Sequence, residues 1–227
     1  MNIEFACQPS NSAAIVTLSP HESMITEGGA MISMSAGLQI ETTTLQRGGQ
    51  GGFLSGLKRL VGGESFFLNH YTAGPAGGEL LLGTTLSGDM MSYELDNERL
   101  VVRGGAFVAG GPQVSIDASW QGFKGVLGNG SLFWLTASGT GPVVLASFGA
   151  IYPVEVNGEY IIDNGHIVAF NETLDFELVK AGGSWMSSLL GGEGLVCRFS
   201  GKGTVWCQSH NPSAFGGALG PHLKQRS

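Results

Sequence analysis

The stretch GAMISMSAGLQIE, residues 29–41, decides the fold, because the same pattern of residues occurs twice more. It returns as GAFVAGGPQVSID at residues 105–117 and as GHIVAFNETLDFE at residues 165–177, with no gap in any copy. A motif that returns along a chain indicates that one structural unit is built several times. We therefore predict three repeats of one supersecondary unit.

In each copy, apolar residues alternate with polar or small residues on both sides of a short break. In the first copy Ile32 and Met34 precede the break, and Leu38 and Ile40 follow it. Alternation with a period of two predicts β-strands with one buried face. The break, residues 35–37 in this copy, predicts the turn of a β-hairpin.

A glycine-rich turn and an apolar strand follow each copy, at residues 62–68, 128–134 and 191–197. A short apolar run without alternation is typical of a strand that is buried on both faces. A glycine also lies at the turn before each copy, in Gly28-Gly29, Gly104-Gly105 and Asn164-Gly165, where we expect a positive φ angle.

These units predict an all-β fold. Each unit is too small to bury its own apolar face, so we expect all of them to pack into a single domain over residues 1–227. The repeats span about residues 14–88, 89–148 and 149–227. Such pseudo-threefold organisation fits a double-stranded β-helix or a sandwich-like arrangement.

The composition favours a folded protein, since 42% of the residues are hydrophobic and 13% are charged. The formal net charge is −7 and the densest basic cluster is Lys58 with Arg59, which argues against nucleic acid as a partner. Three cysteines are too few for a disulfide framework and indicate a reducing compartment. The N-terminus has neither the basic nor the apolar region of a signal peptide, so we expect a cytoplasmic protein.

Two short insertions, at residues 51–61 and 182–190, are predicted to be helical, and we expect no other helix. They provide either a surface for a protein partner or a membrane, or a cap on the core or an oligomer interface. We favour the second interpretation, because a net charge of −7 opposes binding to anionic lipid. The candidate interface residues are Phe53, Leu54, Leu57, Leu60, Trp185, Met186, Leu189 and Leu190.

The search for reactive side chains finds only weak candidates. His70 and His210 follow comparable strands, and Glu64 and Glu193 are equivalent by the repeat, but no nucleophile, base and orienting acid are recognisable together. Cys197, Cys207 and His210 do not have the spacing of a zinc site. We assign no catalytic, cofactor-binding or metal-binding residues.

The stretch GGFLSGLKRLVGGESFFLNHYTA, residues 51–73, resembles the signature of the altered-inheritance-of-mitochondria family of mitochondrial biogenesis proteins and their bacterial relatives. Residues 27–32, 103–109 and 163–170 are similar to other blocks of that family. The resemblance implies an all-β fold like that of the tryptophan RNA-binding attenuation protein, duplicated and oligomeric, with unknown biochemical function. Mitochondrial members are implicated in inner-membrane organisation. Without a visible transit peptide, the chain resembles a bacterial cytosolic member.

We therefore expect a non-enzymatic, oligomeric scaffold or protein-interaction protein that forms a trimer or a ring by symmetric edge contacts. A protein partner or a peripheral position at a membrane surface is part of this hypothesis. A small-molecule binding module is the first alternative, because closed β-structures often hold ligands. An enzyme of unrecognised type is the second, and would need His70, His210 or Glu64 to converge in a cleft.

Overall fold

The computed structural model describes residues 1–45, 66–117, 134–180 and 195–223, and most of these residues form β-strands. One α-helix, α1 (Pro212–Leu219), lies near the C-terminal end. The strands are β1 (Asn2–Ala6), β2 (Ala13–Leu18), β3 (Ser23–Glu27), β4 (Met31–Met34), β5 (Leu38–Leu45), β6 (Phe66–Ala73), β7 (Gly78–Leu82), β8 (Met90–Arg103), β9 (Phe107–Gly110), β10 (Val114–Asp117), β11 (Trp134–Ala146), β12 (Ile151–Asp163), β13 (Ile167–Asn171), β14 (Asp175–Lys180) and β15 (Leu195–Gln208).

The strands form two antiparallel sheets, which confirms the predicted all-β class. The smaller sheet has the order β1-β2-β7-β4. The larger has the order β12-β15-β13-β8-β11-β9-β3-β6-β5, with β10 also paired to β11 and β14 also paired to β15. Strands β4 and β12 therefore lie at the outer edges of different sheets.

The same pairing scheme occurs three times along the chain. Two long strands pair with each other, β8 with β11 and β12 with β15, and two short strands then pair with the second long strand. In the first group each long strand is divided, so that β2 pairs with β7 and β3 pairs with β6. The short strands β4 and β5 follow this division and pair with β7 and β6 respectively.

The hairpin predicted within each copy of the motif is wrong. The two strands of a copy, such as β9 and β10, do not pair with each other; both pair with the same long strand, β11. At the break, the chain moves along the long strand to a second stretch of hydrogen-bonding groups. A long strand offers more of these groups than a four-residue neighbour does. The third copy does the same, with β13 and β14 both paired to β15.

Other local predictions are correct in part. Gly29 and Gly105 have φ angles of 94° and 79°, as the turns before β4 and β9 require. Of the apolar strands predicted after each copy, the described residues Leu68, Trp134, Val196 and Cys197 are buried, whereas Phe66 and Phe67 are half-buried. The positive φ angle predicted for Gly165 in the third copy is wrong, because this residue lies in a 3-10 turn, Asn164–His166, that Asp163 caps.

Alternating side chains of the sheets fill three clusters of buried apolar residues. One is rich in aromatic rings: Phe170 lies 5.6 Å from Trp134, 5.5 Å from Phe176 and 5.1 Å from Phe199, measured between ring centroids. Such pairs add to the free energy gained by burial alone.

Helix α1 contradicts the expectation that no helix lies outside the two insertions. Asn211 caps it by accepting hydrogen bonds from the backbone N–H groups of Ser213 and Ala214, at 2.9 and 3.2 Å, and Pro212 occupies the first turn. Both predicted insertions lie outside the described residues. So do all eight candidate interface residues, Phe53, Leu54, Leu57, Leu60, Trp185, Met186, Leu189 and Leu190.

Candidate functional site

Strand β4 is an exposed apolar edge. All four of its residues are exposed, including Met31, Ile32 and Met34, and Ile32 keeps 56% of its surface accessible. Among the described strands β4 pairs only with β7, so the hydrogen-bonding groups of its other edge have no strand partner. The burial predicted for Ile32 and Met34 is therefore wrong in this copy. It is also wrong for Ile40 of β5, which is 43% exposed, and correct for Leu38.

The corresponding strands of the other two copies are buried. Val108 of β9 and Val168 of β13 align with Ile32 and are 1% and 0% exposed. The difference arises from their neighbours, because β9 lies between β11 and β3, and β13 lies between β15 and β8. Strand β4 has the sequence of a sandwiched strand but lacks the second neighbour.

Strand β12 is the complementary edge. Among the described strands it pairs only with β15, and its surface includes Tyr152, Tyr160 and Ile161. Ile161 is 56% exposed, whereas Val101, which aligns with it in β8, is 0% exposed because β13 covers it. The edge strand β4 of the smaller sheet and the edge strand β12 of the larger sheet therefore both expose apolar residues whose counterparts in inner strands are covered.

A cleft of about 450 Å³ lies among the glycine turns of the first two groups of strands. Its lining includes Glu27, Gly29, Arg103, Phe148 and Gln208. This volume is within the usual range for small-molecule sites.

The cleft contains a poorly solvated carboxyl group, that of Glu27, and two polar side chains, Gln208 and Arg103, that hydrogen bonds hold in place. Burial raises the pKa of Glu27 to about 7, and its carboxyl group has no hydrogen-bond partner among the described residues. Gln208 donates to the carbonyl oxygen of Gly165 at 2.9 Å and accepts from the backbone N–H of Phe148 at 2.9 Å. Arg103 donates to the same Gly165 oxygen at 3.0 Å, and burial lowers the pKa of its guanidinium, opposed by the charge of Asp163.

The histidines considered from the sequence make separate local contacts. His70 Nε2 lies 2.8 Å from Thr43 Oγ1 on the neighbouring strand, while His210 Nδ1 lies 2.8 Å from Ser209 Oγ and its ring packs on Phe148. Glu64 and Glu193 lie outside the described residues.

The cysteines are free thiols in the described chain. Cys7 is exposed, and Cys197 and Cys207 are buried. Burial raises the pKa of Cys207 to about 11 and also raises that of Cys197, so both core thiols are protonated at neutral pH. Among the described residues no three His, Cys, Asp or Glu side chains form a group that could hold a metal ion.

Comparison with known proteins identifies the family of this chain. The chain belongs to the mitochondrial biogenesis AIM24 family, whose pattern it matches over residues 4–210. It is 30% identical over 210 residues to an uncharacterised protein of Streptococcus pyogenes serotype M6, covering 90% of this chain and 84% of that protein.

A crystal structure of a protein from Streptococcus pyogenes has the same fold. The two structures superpose with a TM-score of 0.79 at 26% sequence identity, over 98% of this chain and 99% of the other. The predicted family is thus confirmed. In the described part of the chain, no helix has the length and apolar character needed to cross a membrane.

Sequence reasoning placed the candidate interface on the insertions and did not single out β4 and β12. The alignment of the three motif copies contains a signal for these two edges. A motif copy that comes first or last in a chain lacks one neighbour, so the apolar residues of terminal copies are candidates for contact with another chain.

Proposed function

We propose that this protein is a non-enzymatic scaffold subunit that binds other polypeptide chains through its open strand edges. One observation carries the proposal: Ile32 of β4 is 56% exposed, whereas Val108 and Val168 at the same motif position are 1% and 0% exposed. The sequence of β4 is suited to burial, and burial requires a second strand beside it.

The chemistry of β4 supports a binding role for this edge. Exposed edge strands are usually protected by charged side chains or proline, because bare N–H and C=O groups recruit further strands. The sequence of β4 is Met-Ile-Ser-Met, without charge or proline. An incoming strand would form backbone hydrogen bonds and cover the apolar side chains, as in other proteins that extend a sheet with a partner strand.

The proposal includes self-association as a trimer or ring in the cytoplasm, where the exposed thiol of Cys7 stays reduced. The proposal includes binding to a membrane surface only through the two insertions, at residues 51–61 and 182–190, that the sequence predicts to be helical. Native mass spectrometry of the purified protein over a range of micromolar concentrations tests the scaffold function. We expect a defined oligomer or a co-purified protein partner, and a strict monomer without any partner would overturn the proposal.

The cleft supports a second candidate function, the binding of a small molecule. Glu27 supports it, because a half-buried carboxyl group without a hydrogen-bond partner among the described residues gains free energy from a ligand that donates a hydrogen bond or carries a cation. A reproducible extra mass on each wild-type subunit, reduced in Glu27→Gln, would support this function. The same mass on both proteins, or on neither, would count against it.

A further inference from the structure

We propose that the partner of β4 is β12 of a second copy of this chain. This inference rests on the proposed scaffold function and identifies the polypeptide that the open edge binds. The two strands run antiparallel, with Met34 of one copy opposite Ile161 of the next and Ser33 opposite Ile162.

The chain contains two junctions between successive groups of strands, and they share one geometry. At the first junction β9 pairs antiparallel with β3, and Ala109 lies opposite Thr26. At the second, β13 pairs antiparallel with β8, and Ala169 lies opposite Val102. In both cases the first short strand of one group covers the end of the first long strand of the preceding group.

The register is identical at the two junctions. The gap-free motif alignment places Ala109 and Ala169 at one position, and continuing it upstream places Thr26 and Val102 at one position. In the same alignment Ser33 is the counterpart in β4, and Ile162 is the counterpart in β12. A third junction with this register therefore joins β4 to β12.

A local irregularity supports the equivalence of the three short strands. The pairing of β4 with β7 shifts register between Met31 and Ser33, which skips Ile32. The pairing of β13 with β15 shifts between Ile167 and Ala169, at the aligned position. β9 shows a register shift in its pairing with β11 near the same place. Bulges of this kind are specific features of a strand, so the three short strands present the edge away from their long partner in the same way.

One copy does not form the third junction by itself, because β4 and β12 lie at the edges of different sheets. Each copy consequently carries both halves of the proposed junction, the open edge of β4 and the open edge of β12. Contact between different patches is heterologous, and repeated contacts of this type close into a ring when the rotation between copies allows it. The junction would cover Ile32 and Ile161, each 56% exposed in one copy.

Cysteine cross-linking between separately labelled copies tests both the partner and the register. In a Cys7→Ser background the remaining native cysteines, Cys197 and Cys207, are buried. One preparation carries Met34→Cys and the other carries Ile161→Cys. Directly opposite residues of paired strands lie within the Cα separation that a disulfide requires.

We expect covalent dimers after mild oxidation of the mixture and none from either preparation alone. The matched register control pairs Ser33→Cys with Ile161→Cys, which point to opposite faces of the predicted pair and should not cross-link. Cross-linking of Met34→Cys alone would indicate a symmetric β4–β4 contact and overturn the proposal.

The failure of this inference is distinguishable from failure of the scaffold function. An oligomer seen by native mass spectrometry that yields no Met34–Ile161 cross-link contradicts the proposed partner strand alone. A monomer without any bound protein contradicts both proposals.

Discussion

Val101 of β8 lies directly opposite Phe170 of β13, and both side chains are buried at this inner junction. Ile161 and Met34 occupy the same two motif positions at the outer edges of the chain, where both are exposed. The residue types are similar, so the difference in burial is caused by the missing neighbour. This contrast is the basis for regarding the protein as one unit of a larger assembly.

Adding a charge to an outer edge is expected to dissociate that assembly. In Ile161→Lys or Ile32→Lys an ammonium group would replace an apolar side chain in the interface, and its desolvation costs several kcal/mol. The variants should therefore elute as monomers at concentrations where the wild type is an oligomer, as measured by size-exclusion chromatography with light scattering.

Ile40→Lys is the matched control for this experiment. Ile40 is 43% exposed and lies on β5, an edge strand that takes no part in the proposed junction. It should leave the oligomer intact. Equal dissociation by Ile40→Lys would show that added charge acts nonspecifically, and unchanged oligomers of all three variants would contradict the edge contact.

Glu27 is expected to make stability depend on pH. Burial raises its pKa from 4.5 to about 7, so the folded protein binds more protons than the unfolded chain between these values. Stability should fall as pH rises from about 4.5 to about 7 and then level off, with roughly 3 kcal/mol as the upper bound of the loss.

The comparison of Glu27→Gln with wild type in urea unfolding at pH 5 and pH 8 measures this effect. The substitution should remove much of the pH dependence, whereas Glu79→Gln, at an exposed position of β7, should preserve it. A Glu27→Gln variant with the full wild-type pH dependence would show that other groups are responsible.

The aromatic cluster around Phe170 is expected to dominate the stability of the third group of strands. Phe170 is 1% exposed and contacts three other aromatic rings, so Phe170→Ala should cost about 3–5 kcal/mol by leaving a cavity. Phe215→Ala, in the exposed helix α1, should cost far less because Phe215 is 48% exposed. Thermal unfolding of both variants checks this, and comparable losses would contradict the described core.

Two glycines separate steric from conformational requirements. A Cβ atom at Gly88 would collide with the backbone carbonyl oxygen of Ser147, which cannot move without disturbing the bridge between Gly88 and Gly149. Gly88→Ala should therefore cost about 3 kcal/mol. Gly29 has open space around it but a φ of 94°, so Gly29→Ala should cost only about 1–2 kcal/mol. A reversed order in denaturant unfolding would contradict this packing.

The sequence predicts the class of the fold well because alternation and glycine turns are local signals. The strands on both sides of each break, such as β4 and β5, and the turn glycines Gly29 and Gly105 appear where these signals place them. The pairing within each motif copy could not be derived in this way, since it depends on competition among distant strands. Helix α1 was missed although Asn211 followed by Pro212 is a capping signal, because the two glycines within it weaken helical propensity.

The candidate site shows the same difference between features that follow from local sequence and features that depend on distant strands. The apolar pattern of Ile32 and Met34 predicts burial, and the single chain leaves both exposed. Periodicity records which face a strand must bury but not whether the covering residues belong to the same chain. The mismatch between pattern and exposure became visible only when the three copies could be compared in space.

Hydrogen exchange of β4, followed as a function of protein concentration, tests the central claim most directly. Within a strand, N–H groups point alternately to the two sides, so those of β4 that point away from β7 exchange rapidly in an isolated copy. We predict that these groups, and those on the free side of residues 160–162, become as protected as those of β9 when the protein assembles. Rapid exchange at both edges in a sample that native mass spectrometry shows to be oligomeric would contradict the account.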